Sequence, residues 1–312
     1  MTKYTILLLA FFAFSTQITA QSIQFYESES GDKHIWGPFP IEYLKQDTTY
    51  AGWFNESYDA FNMEKTDYKW VKNLKDKQVD IYMATWCGDT KNYVPKFVHM
   101  WDKLGLKREQ LHFTALHDSD SLYKQGPNGE ERGLKIHRVP TFIFKENGKE
   151  VGRIVEFPNT DLVTDLAQIA LGYPPAPSYR AANYLLNLFE EMPLDSIYKD
   201  GNKHFYAAYG KVSKYNELNT LGKVLLESDR LQEALLVYNF NVSFYQYNPY
   251  VNKSFAKALD KAGNYPMALQ FYETALKIKP EDEEISKEIE RLKILVAEQE
   301  EKSKSEKKTK EE

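Results

Sequence analysis

Two short words carry the most chemical promise: Trp86-Cys87-Gly88-Asp89-Thr90-Lys91 and Val139-Pro140-Thr141. Cys87 is the only cysteine among 312 residues, so the chain cannot close an internal disulfide. It follows a run from Val79 to Ala84 that suits a buried strand. It precedes Val94, Phe97, Val98, Trp101 and Leu104, which recur at the spacing of an amphipathic helix. The order predicts a strand, a turn and a helix, with Cys87 at the helix start. Free backbone N–H groups and the helix dipole there favour the thiolate, the attacking form of cysteine. Thr90 is spaced to turn its hydroxyl back toward the sulfur, while the charge on Asp89 opposes ionisation. A lone cysteine is also a common small hydrophobe of protein interiors, and read that way it is inert.

The other candidates are weaker. His112 and His117 have no acidic or cysteine partner at ligand spacing, so no metal site is expected. His137 lies three residues before Pro140; with no identifiable partner it reads as a surface-loop histidine, with a role in proton transfer as the alternative. A Ser-x-x-Lys pattern at Ser254-Phe255-Ala256-Lys257 recurs at Ser30, Ser121, Ser196 and Ser305, as chance allows in a Lys-rich chain. No Gly-rich phosphate loop or Gly-x-Ser-x-Gly elbow occurs, and no cofactor is expected.

The elements that must position these words can be read around them. Leu111 to Leu116 reads as a second strand, and 118–133 as a polar connection with turns at Gly126-Pro127 and Asn128-Gly129. Thr141–Phe144 and Val151–Val155 flank Glu146-Asn147-Gly148-Lys149, a strong hairpin signal. Asp161 to Leu171 predicts a helix stopped by Gly172. A strand–helix–strand unit followed by a hairpin and a helix gives an α/β mixed sheet with flanking helices over 75–172. Residues 21–74 form an aromatic-rich extension, expected to add a strand or helix to the sheet edge, with Ser57 to Leu74 reading as helix. Pro174-Pro175-Ala176-Pro177 marks a stiff linker at 173–178.

Beyond it the pattern is helical from 179 to 295. Gly222 and Ala256, Leu225 and Leu259, Ala234 and Ala268, and Tyr238 and Tyr272 are four matched pairs, each 34 residues apart. That is the period of tetratricopeptide helix–turn–helix repeats, here spanning about 216–280. The first copy departs from the pattern at Asn241, where a small residue is expected. Residues 281–295 read as a capping helix, and 296–312, nearly all Glu, Lys and Ser, as a charged disordered tail.

Lys3, the apolar run Ile6–Phe14 and the polar stretch ending at Ala20 have the layout of a secretory signal peptide over 1–20. The run is shorter than the ~20 residues that span a bilayer, so an exported chain, periplasmic or secreted, with no stable membrane anchor is expected. With 40 Lys and Arg against 45 Asp and Glu, the formal charge of −5 argues against a nucleic-acid partner.

Taken together, the two words in this strand–helix context resemble the thioredoxin family. Trp86, Gly88, Lys91 and Pro95 stand where thioredoxins have them, and Val139-Pro140-Thr141 looks like the family's cis-proline loop. The 76–172 stretch with its Cys-Gly-Asp-Thr-Lys word also looks like exported bacterial members. The resemblance implies a cis Pro140 facing the reactive cysteine and a groove for an extended peptide, with Trp86 in its wall and Gly88, Asp89, Val139 and Thr141 beside it. Three departures matter. Thr90 replaces the second, resolving cysteine, Asp89 replaces the proline between the two cysteines, and Ile81 stands where a proton-relaying carboxylate is usual. What remains is one-thiol exchange with a disulfide or thiol of a protein or peptide partner, with Cys87 as nucleophile and Thr90 tuning it. A fold kept only for binding polypeptides, its thiol idle, is the rival. Leu218-Asn219-Thr220-Leu221-Gly222 and Glu233-Ala234 resemble the short tetratricopeptide segment behind exported bacterial hydrolases; the concave face of such repeats takes a peptide, and a module that only extends or dimerises the fold is the equal alternative.

Overall fold

The computed structural model describes residues 22–63 and 68–311, with side chains through Lys302. The segment expected to be a signal peptide lies outside the described residues. Among the described residues, no helix is long and apolar enough to cross a membrane.

The described residues up to 170 build one six-stranded sheet with flanking helices. Its strands are β1 (Gln24–Glu27), β2 (Lys33–Phe39), β3 (Gln78–Met83), β4 (Leu111–Ala115), β5 (Thr141–Glu146) and β6 (Lys149–Val155), in the order β1-β2-β4-β3-β5-β6. Only β3 and β4 run parallel; the other pairs are antiparallel. Residues of β3 and β5 alternate between two packed faces. Val79, Ile81, Met83, Phe142 and Phe144 face one core, and Tyr82 and Ile143 face a smaller one against which Trp86 and Cys87 pack. The larger core is closed by α3 (Gly88–Lys103) through Val94, Phe97, Val98 and Trp101, and by α4 (Leu162–Ala170) through Leu166 and Ile169.

Local chemistry sets the boundaries. Asn147 and Gly148 both take positive φ between β5 and β6, as a two-residue hairpin turn requires. Asp161 caps α4 by accepting the amides of Val163 and Thr164 at 2.9 Å. The N-terminal extension adds the β1–β2 hairpin to the sheet edge, together with α1 (Glu42–Gln46) and α2 (Ala51–Asp59). The helix expected from Ser57 to Leu74 is not continuous. α2 stops at Asp59, and Lys69–Leu74 is a 3-10 turn that buries Leu74. The apolar residues there seal the end of the core without keeping a helical period.

The proline linker lies down along the sheet edge: a Cβ added to Gly152 of β6 would stand 2.9 Å from Pro174. A helical domain follows, with α5 (Arg180–Glu191), α6 (Leu194–Lys199), α7 (Gly201–Tyr209), α8 (Tyr215–Glu227), α9 (Leu231–Phe244), α10 (Pro249–Lys261), α11 (Tyr265–Ile278) and α12 (Glu283–Glu311). Each bound of the α10–α11 pair is displaced by 34 positions from the matching bound of α8–α9. All eight residues of the four matched pairs are buried. A Cβ on Gly222 would meet the Tyr238 ring at 2.6 Å, so glycine permits the close approach of α8 and α9. Asn241 is buried and donates to the Tyr215 carbonyl at 3.0 Å. The tail expected to be disordered is instead the continuation of α12 through Glu311. Its Glu and Lys residues are strong helix formers, and the helix is anchored by buried Ile285, Ile289 and Leu292.

One buried carboxylate ties the start of this domain together. Glu217 of α8 accepts the Ala181 and Ala182 amides at 2.7 and 3.2 Å, and the Ser213 amide and hydroxyl at 2.9 and 3.0 Å. Glu217→Ala strips the first turn of α5 of its acceptor and is expected to cost about 2–4 kcal/mol, read as a lower urea midpoint for loss of helical circular dichroism.

Candidate functional site

Cys87 is the N-cap of α3, in extended backbone conformation (φ −85°, ψ 127°), as read from the sequence. The Val139–Pro140 peptide bond is cis, and the Cys87 thiol donates to the Val139 carbonyl at 3.1 Å. The two words, 52 residues apart, meet because β3 pairs with β5. Thr90 is fully buried. Its Oγ1 accepts the Ala84 amide at 3.2 Å, tying the first turn of α3 to the end of β3. Thr141 is buried and donates to the Arg138 carbonyl at 2.7 Å, which shapes the loop around Pro140. Trp86 donates from its indole to the Leu116 carbonyl at 3.0 Å and is half-buried beside the thiol. Gly88 is exposed with open space about it, and Asp89 is half-buried.

Two influences compete at the sulfur. The Asp89 and Thr90 amides and the Thr90 hydroxyl pull the thiol's pKa down, as a helix start should. Burial is larger, and with the Asp89 charge it pushes the thiol up from its ordinary value. The carbonyl of Val139 favours the same side, because it accepts only from the protonated form.

The polar connection 118–133 contributes residues that sequence reasoning missed. Its ends are drawn together as Lys124 N–H donates to His117 O at 2.8 Å and His117 N–H to Gln125 O at 3.1 Å. Trp36 of β2 also donates to that Gln125 carbonyl, at 3.0 Å. The closed loop turns Tyr123 and Lys124 inward beside Trp86. Lys124, at positive φ, is 4 % exposed; burial and the Arg138 cation lower its pKa to about 7. Tyr123 is raised to about 12 by burial and keeps its proton.

The helical domain closes the far side. Arg138, next to Val139, is buried and donates to the Asn216 carbonyl of α8 at 2.7 Å; it also faces Glu156 at 3.5 Å. Tyr179, from the end of the linker, donates to Glu156, and the Arg138 guanidinium lies 4.2 Å over its ring. Lys223 of α8 stands 4.1 Å over the Tyr123 ring. Asp120 accepts from Lys223 and from Lys257 of α10, each at 2.8 Å. Pro140 is buried, while Trp86, Cys87 and Asp89 are half-buried and Gly88 is exposed.

His137 is a correction. It is 1 % exposed, not on a surface loop; burial followed by Arg138 drives its pKa down to about 3, so the ring is neutral. Its Nδ1 faces the Lys135 carbonyl at 3.4 Å, and its Nε2 has no hydrogen-bond partner among the described residues. No group of three His, Cys, Asp or Glu among the described residues could hold a metal ion.

No family model matches the chain. Among curated proteins, the chain is similar to thioredoxin H9 of Arabidopsis thaliana, with 28% identity over 116 residues, covering 36% of this chain and 76% of that protein. With the six-stranded mixed sheet and its flanking helices, the similarity fits a thioredoxin-like domain followed by a helical domain.

The folded chain holds the Cys87 proton more tightly than the unfolded one. The stabilisation is therefore full below the unfolded thiol's pKa of ~8.5 and is lost as pH rises through the higher folded value. At pH 8, iodoacetamide should label the folded chain more slowly than the urea-unfolded chain, because burial leaves less of the folded thiol ionised. Equal rates would mean that helix-start stabilisation cancels burial, and faster labelling of the folded chain that it outweighs burial.

Proposed function

We propose that the chain is an exported, thioredoxin-like redox protein that works through one thiol. Cys87 attacks a disulfide of a protein or peptide partner, the partner's sulfur–sulfur bond breaks, and a mixed disulfide forms at Cys87 while the other partner sulfur leaves as a thiol. A second, external thiol then releases the adduct, because position 90 is threonine. The observation that carries this reading is the meeting of the Cys87 sulfur, at a helix start, with the carbonyl that precedes a cis proline. Thr90 supports the sulfur from the first turn. The similarity to a thioredoxin supports redox chemistry on protein partners at that coarse level. The signal-peptide layout of residues 1–20 supports export to the periplasm or beyond, and the 34-residue register of the two helix pairs supports tetratricopeptide-like repeats that bind a polypeptide segment.

A second reading has its own support. The raised pKa of Cys87 favours a scaffold that binds polypeptides through both domains and leaves the thiol idle. The two are separated by incubating the full chain with a short disulfide-linked peptide pair across pH 7–9 and weighing the products. Thiol exchange predicts one peptide adduct per chain, released by added thiol and absent in Cys87→Ser. An unmodified folded chain, with adduct only after unfolding, supports the scaffold.

A further inference from the structure

Lys124 is a buried lysine whose charge is not matched. Among the described residues no carboxylate lies within 4.0 Å of its ammonium, and its side-chain hydrogen bond goes to the Tyr123 hydroxyl. The ammonium also lies 3.9 Å over the Tyr123 ring and 5.7 Å over Trp86, the residue before Cys87. Burying an unpaired ammonium is costly, so such a group loses its proton or acquires an anion. The groups that act on Lys124 are few. Arg138, from the cis-proline loop, and Lys223, from α8, repel its charge, while Cys87 and Glu156 attract it. Glu156 is already engaged by Arg138 and Tyr179. Asp89 acts on Cys87 and on Glu156. Asp120 is taken by Lys223 and Lys257, and His137 is neutral. The anion left to form inside this cluster is the Cys87 thiolate.

We propose that Lys124 is the proton partner of Cys87: as an amine it takes the thiol proton, and as an ammonium it is the counter-charge of the resulting thiolate. This deepens the thiol-exchange reading and rests on it for the disulfide substrate. The step balances without any further reagent. The Cys87 proton leaves its bond to the Val139 carbonyl and passes by way of solvent to the Lys124 amine, which is not in direct hydrogen-bond contact with the sulfur. The thiolate attacks one sulfur of the partner disulfide, and the S–S bond breaks. The departing thiolate takes the proton back from Lys124, which is left neutral for the next encounter. A base near neutrality, supplied by the loop after β4, thus stands in for the carboxylate that Ile81 cannot provide.

Since Cys87 is the only cysteine, iodoacetamide labelling followed by mass reports it without ambiguity. The experiment uses the full folded chain and no disulfide partner, so it can fail independently of the peptide exchange test. For the wild type, the logarithm of the labelling rate should rise with pH to about pH 7, level off where Lys124 loses its proton, and rise again as the second proton leaves the pair. Lys124→Met should show one unbroken rise and label about tenfold or more slowly at pH 7, the effect of a one-unit change in thiol pKa. Lys124→Arg keeps the charge but cannot titrate. It should match the wild type below pH 7 and overtake it above. A wild-type profile with no break near pH 7, or one superimposable on that of Lys124→Met, overturns the proposal. If Lys124→Met does not fold, the wild-type and Lys124→Arg profiles decide the matter, because a purely structural lysine predicts that they run parallel.

Discussion

The site depends on one contact, the hydrogen bond from the Cys87 thiol to the Val139 carbonyl. It requires a strand that ends into a helix and, beside it, a strand that begins after a cis proline, so the adjacency of β3 and β5 at the centre of the sheet comes first. Everything that fixes those strands serves the contact. Phe97 of α3 packs on Phe142 of β5 at 4.6 Å between ring centres, and the tight hairpin sets the β5–β6 register. Oγ1 of Thr90 holds the end of β3 against the first turn of α3.

The electrostatics follow from depth rather than from helix geometry alone. A helix start favours an anion, yet the same placement packs the half-buried sulfur against the smaller core of the sheet, where the neutral form is preferred. The surrounding charges are arranged around that loss of solvent. Arg138 and Glu156 offset one another, His137 is held neutral, and Lys124 has a basicity close to the physiological range. Cys87 is thus displaced away from neutrality and Lys124 toward it on the same side of the sheet domain.

How much of this was legible depended on how local the cause was. Asn147-Gly148 announces its hairpin because both residues accept positive φ. The 34-residue register was visible because small and large residues recur where helices must touch, as Gly222 and Tyr238 do. Cys87 could be placed at a helix start from flanking periodicity alone. The remainder depended on contacts between distant segments. His137, Tyr123 and Lys124 sit in polar stretches that read as solvated, and only the docking of α8 and the indole bond from Trp36 to Gln125 turns them inward. Apolar side chains between Ser57 and Leu74 suggested a helix because seal residues and helix-face residues look alike in sequence. The charged C-terminal stretch misled in the opposite sense: its composition fits a solvated coil and a solvated helix equally well, and buried Ile285, Ile289 and Leu292 seed the latter.

Lys223 and Lys257 occupy the same position in the two helix pairs, and both reach Asp120. One aspartate therefore spans the stacking gap like a feeler gauge. An exposed bridge of this sort adds little stability, but its placement has a mechanical meaning. Asp120 is only four residues upstream of Lys124, along a loop clamped at both ends. The loop that carries Lys124 is thus pinned to both helix pairs through a single exposed carboxylate.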